Sequence, residues 1–68
     1  MIRVKTFTTP LKIFATQREL QELDERVNAF LNEQGAVGVY SVSDATTAGE
    51  DGETIGLIRT VAYEVDDV

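Results

Sequence analysis

The chain predicts an α+β fold of order β-α-β-β, three strands under one helix, in a single small domain spanning residues 1–68. Three observations carry that expectation: one punctuated amphipathic helical segment, β-branched alternating runs on either side of it, and a polar, glycine-bearing stretch between the last two runs. The helix is expected from Gln17 to Gln34. Leu20, Leu23, Val27, Phe30 and Leu31 fall on one stripe about 100° wide, so one face is built for burial. Thr16 and Glu19 stand in the Ser/Thr-x-x-Glu spacing of a capping box, and Gly35 supplies the left-handed stop.

Ile2 to Phe7 reads as the first strand, with Ile2, Val4 and Thr6 on one face and Arg3, Lys5 and Phe7 on the other. Thr8 to Ala15 reads as a connection. Its Leu11, Ile13 and Phe14 either plug the open end of the core or dock on another subunit, since a loop this apolar needs burial somewhere. Ala36 to Ser43 is the second strand, Asp44 to Glu53 a hairpin connection, and Thr54 to Val65 the longest strand pattern. Along that last run Ile55, Leu57, Val61, Tyr63 and Val65 share a face interrupted by Arg59. A right-handed crossover makes the first two strands parallel and leaves the last strand central, antiparallel to both. The helix is then expected to cover Ile2, Val4, Val37, Val39, Leu57, Val61 and Tyr63, with Arg3 and Lys5 brought near Glu64 and Asp66.

A chain of 68 residues buries only about 60% of the surface its unfolded form exposes, so its stability margin is thin. It contains no cysteine and no histidine, which removes disulfides and the common zinc sites and leaves oligomerisation as the usual reinforcement. The formal net charge is −6, and residues 1–18 carry no acid at all. That balance disfavours nucleic acid as a partner, because phosphate binding needs a basic surface. No membrane segment is read, and the expected location is cytoplasmic.

No catalytic, cofactor-binding or metal site is expected. Triad chemistry lacks its base, and Glu19, Glu22 and Glu25 read as a solvated helix face with i,i+4 pairs Arg18–Glu22 and Glu22–Arg26. Asp44, Glu50, Asp51 and Glu53 crowd one loop, but an EF-hand register starting at Asp44 places Thr46 and Ala48 where ligands belong and Ile55 where the closing Glu belongs. Gly49-x-x-Gly52-x-x-x-Gly56 lacks the lysine and hydroxyl of a phosphate loop; Gly56 is read as a bulge or a close contact. One helix covers only one side of a sheet, and the other side is expected to present Phe7, Tyr40, Val42, Ile58 and Ala62. An apolar patch of that kind marks an interface, with the chain itself or another protein as partner.

The segments Ile2-Arg3-Val4-Lys5 with Phe7, Val27-Asn28 with Phe30-Leu31, Tyr40-Ser41-Val42 and Val61-Ala62-Tyr63-Glu64 resemble the small sporulation-associated proteins of spore-forming bacteria. The connection from Thr8 to Thr16 is longer than in that pattern. The resemblance implies a small acidic protein of the same fold and brings no catalytic or ligand residue with it. In architecture alone the chain is similar to dodecin, a strand-helix-strand-strand flavin-storage protein that assembles into a hollow shell. That likeness implies a small-molecule carrier as the alternative function, with Tyr40 or Tyr63 standing where dodecin stacks flavin on tryptophan.

Overall fold

The computed structural model describes residues 1–12, 14–48 and 54–66. Strand β1 (Ile2–Lys12), helix α1 (Thr16–Glu33), strand β2 (Gly38–Ala48) and strand β3 (Thr54–Glu64) follow one another in the expected order. The sheet runs β1-β3-β2 with both pairings antiparallel, so the last strand is central. Two strands are longer than their hydrophobic patterns indicate. β1 continues through Pro10 because it is an edge strand, where a missing N–H on the outer side costs no ladder bond. β2 continues through Asp44 to Ala48. The predicted turn residues Gly49, Glu50, Asp51, Gly52 and Glu53 lie outside the described residues, as does Ile13.

The helix ends as its sequence dictates. Gly35 adopts φ 65°, Ala36 N–H donates to the Leu31 carbonyl at 3.0 Å and Gly35 N–H to the Asn32 carbonyl at 3.1 Å, the paired bonds of a Schellman motif. Its start differs from the capping box. Ala15 is the N-cap residue and no side chain caps the first turn. Thr16 and Glu19 turn back to β1 instead: Thr16 Oγ1 donates to the Lys12 carbonyl at 2.8 Å, and Glu19 Oε2 accepts the Lys12 N–H at 3.0 Å. Glu19 is consequently buried rather than part of the solvated face, and its charge sits at the positive end of the helix dipole. The expected Arg18–Glu22 and Glu22–Arg26 ion pairs are not formed among the described residues; Arg26 donates to the Thr8 carbonyl at 3.1 Å.

The core lies between α1 and the β1/β3 side of the sheet. Leu23 and Val27 meet Phe7, Leu57, Val61 and Tyr63, with Val65 closing one end and Leu11, Leu20, Phe30, Leu31 and Ala36 around the rim. Phe30 packs edge-to-face on both Phe7 and Tyr63, with ring centroids 5.6 and 5.5 Å apart. Leu11 thus plugs the core, whereas Phe14 is wholly exposed.

The parity of β1 is the reverse of the one expected. Arg3, Lys5, Phe7 and Thr9 stand opposite Tyr63, Val61, Arg59 and Leu57, so Phe7 belongs to the helix face. Ile2 and Val4 lie on the open face and are 56% and 63% exposed. Arg3 and Lys5 therefore sit on the opposite side of the sheet from Glu64, which takes the Met1 amine instead at 3.0 Å. Lys5 lies over the Phe30 ring, 5.5 Å from its centroid.

Candidate interaction surface

The open face of the sheet is defined by register. Reading across β1, β3 and β2, its four middle rows are Val4-Ala62-Ser41, Thr6-Thr60-Ser43, Thr8-Ile58-Ala45 and Pro10-Gly56-Thr47. None of these residues is charged, although 26% of the chain is. Among the described residues the charges lie elsewhere: on α1, at the sheet ends as Glu64 and Lys12, beyond β3 as Asp66, and on the helix-side face as Arg3, Lys5, Asp44 and Arg59. The helix-side face thus carries both the apolar core and these four charges, while the face that no helix covers is neutral.

Of the five residues expected at an interface, Ile58 and Ala62 lie on this face and are half-buried. Phe7 does not, being 8% exposed within the core. Val42 does not either. A β-bulge between Val39 and Ser41 inserts Tyr40 as an extra residue, so Val39 pairs with Tyr63 and Val42 with Val61, both on the helix side. Tyr40 occupies the bulge and is 66% exposed. The threonines and serines of the middle rows, together with Val4, are the members that sequence patterning missed. Their signal was weak because Thr and Ser count as polar in any alternation, yet uncharged hydroxyl residues tolerate burial at a sheet face.

The face is not flat. Gly56 floors a hollow of about 340 Å³ walled by Thr8, Pro10, Thr47 and Ile58. The hollow exists because position 56 has no side chain: a Cβ there would stand 2.5 Å from Thr47 Oγ1. Gly56 is thus a close contact, and the bulge of this sheet is on β2.

On the opposite side, α1 leans toward β1 and leaves a groove of about 300 Å³ against β2, lined by Val27, Leu31, Val39, Val42 and Val61. One end is closed by Arg59. Its guanidinium donates to both carboxylate oxygens of Asp44, Nε to Oδ1 at 2.8 Å and Nη2 to Oδ2 at 3.0 Å, and to Asp24 of α1. This explains a cation in an otherwise apolar run: Arg59 ties the central strand to its neighbour and to the helix. The hydrogen bond from Arg59 holds the Asp44 carboxyl below its ordinary value, and the same bond raises the guanidinium's pKa further. Because the folded-state pKa of Asp44 is depressed, its contribution is full above about pH 4 and fades as pH falls through the folded value. Asp44→Asn should therefore lower the urea midpoint at pH 7, and the gap to wild type should narrow by pH 2.5. A gap unchanged between the two pH values contradicts the clasp.

Among the described residues no three acidic, histidine or cysteine side chains stand together as a metal site, and no helix is long and apolar enough to cross a membrane. Comparison with known proteins found no matching family model, no matching curated protein and no matching solved structure.

Proposed function

We propose that this protein is a non-enzymatic, cytoplasmic interaction module that associates with itself, two copies packing their open sheet faces about a two-fold axis. The observation that carries this reading is the uncharged run of four rows in a chain one quarter charged. Keeping twelve consecutive face positions free of Asp, Glu, Lys and Arg is what burial requires, since an unpaired charge in a closed interface is strongly destabilising. A second copy suits this surface because a neutral face of β-branched and small side chains is self-complementary, and Ile58 on one copy has a hollow of matching chemistry around Gly56 on the other. The four uncharged rows span seven residues of each strand, roughly 23 by 14 Å, on the order of 300 Å² per copy in projection, which is the size of a weak, reversible association. The core of one protomer is thin enough to gain from that reinforcement.

A flavin carrier receives less support. Tyr63 is 3% exposed and committed to Phe30, so it offers no stacking platform, and Tyr40 stands without a second ring beside it among the described residues.

Light scattering after size exclusion at tens of micromolar tests the reading. The wild-type mass should be a multiple of 7.5 kDa, with a dimer the expected form. Ile58→Asp should reduce it to the monomer, while Val39→Asp, on the other side of the sheet, should leave it assembled. A wild-type mass of 7.5 kDa overturns the proposal.

A further inference from the structure

The outer edge of β1 is treated differently along its two halves. Met1 and Val65 exchange both backbone hydrogen bonds, at 2.8 and 2.9 Å. By antiparallel alternation the odd residues of β1 bond to β3, and Ile2, Val4, Thr6, Thr8, Pro10 and Lys12 turn their backbone groups outward. From the Thr8 carbonyl onward most of those groups are taken or missing. Arg26 takes the Thr8 carbonyl, Pro10 has no N–H, Glu19 takes the Lys12 N–H, and Ala15 and Thr16 take the Lys12 carbonyl. These are the devices by which proteins stop an edge from pairing. From Ile2 to Thr6 the charges of Arg3 and Lys5 are the guard, and the outward N–H and C=O of Val4 and Thr6 have no partner among the described residues.

The open half also carries two cations two positions apart on one side of the strand. Arg3 and Lys5 project from it on the helix side, and neither forms an ion pair among the described residues. A second copy of β1 is a poor occupant, because antiparallel pairing centred on Val4 sets Arg3 against Lys5 of the other chain, and like charges directly opposite are destabilising. We infer that the Ile2–Thr6 edge accepts an extended acidic segment of a partner protein as a fourth strand, with acidic residues two positions apart opposite Arg3 and Lys5 and a small apolar residue between them opposite Val4. Main-chain bonds to Val4 and Thr6 supply affinity, and the two cations supply the choice of sequence. The edge lies in the plane of the sheet, so this inference stands apart from whatever covers the open face.

The probe is the synthetic peptide acetyl-Thr-Glu-Val-Glu-Val-Thr-amide, titrated into ¹⁵N-labelled protein at low salt. The expected result is saturable movement of the Val4 and Thr6 amide resonances, with the closed half of β1 unmoved. Replacing both glutamates by lysine, or N-methylating the valine between them, should weaken binding at least tenfold. Arg3→Glu with Lys5→Glu should reverse the preference toward the lysine peptide, and Val4→Pro, which removes an outward N–H only, should abolish binding of either. Should Val4→Pro fail to fold, the charge reversal and the N-methylated peptide still decide the matter. Unmoved Val4 and Thr6 amides at millimolar peptide, or equal binding of the glutamate and lysine peptides, overturn the inference.

Discussion

Leu23→Ala is expected to cost about 2 to 5 kcal/mol, the range for emptying a buried leucine site whose surroundings relax only in part. Leu23 is 0% exposed and stands where α1 meets the sheet against Phe7, Leu57 and Val61, so no neighbour can slide in without giving up its own contacts. For a domain of this length total stability is roughly 3 to 10 kcal/mol, from the usual 0.05 to 0.15 per residue. The variant should therefore lose a large fraction of the domain's stability. Urea titration followed by far-ultraviolet circular dichroism checks this; a loss under about 1 kcal/mol contradicts the placement of the helix.

The second large effect distinguishes the two faces of β1. Phe7→Ala should cost about 3 to 5 kcal/mol, since the ring is buried and its edge-to-face contact with Phe30 goes with it. Val4→Ala, three residues earlier on the same strand, should change the stability of a monomeric background such as Ile58→Asp by no more than about 0.5 kcal/mol. In the assembled wild type the same Val4→Ala change should weaken association, because Val4 then lies inside the interface. Equal costs for Phe7→Ala and Val4→Ala in the monomeric background contradict the register.

That register was the part of the fold least legible in the residues. Element order, the central position of β3 and the helix stop at Gly35 all follow from local patterns that agree with one another. β1 carries two competing patterns, Ile2 and Val4 on even positions against Phe7 and Leu11 on odd ones. Ending the strand at Phe7 discards Leu11 and leaves Phe7 as the lone apolar residue on its side, so the wrong face wins. A proline on an outer edge is compatible with a continuing strand, and admitting it restores the pair of large side chains that decides the matter. The bulge in β2 had a signal too: apolar Val37 and Val39 are odd, Val42 is even, and a change of parity within one strand requires an extra residue between them. The helix start shows a different failure. Thr16 and Glu19 have capping-box spacing, but both side chains serve the Lys12 backbone, a tertiary competitor that spacing along one segment cannot reveal.

For the candidate surface the consequence is specific. Ile58 and Ala62 were found because β3 alternates cleanly, and Phe7 and Val42 were misplaced by the two parity errors. The face that replaces the expected apolar patch is neutral rather than greasy, built on threonine, serine and alanine around Ile58 and Val4. Such a surface is compatible with water and with burial alike, and its freedom from charge is what argues for burial.

Isotope-filtered nuclear Overhauser spectroscopy on an equimolar mixture of ¹³C-labelled and unlabelled protein tests that claim most directly. The account predicts intermolecular contacts among the methyl groups of Val4, Thr60, Ile58 and Ala62, and none to Val39 or Val42. Intermolecular contacts confined to Val39 and Val42, or the absence of any at millimolar protein, would contradict it.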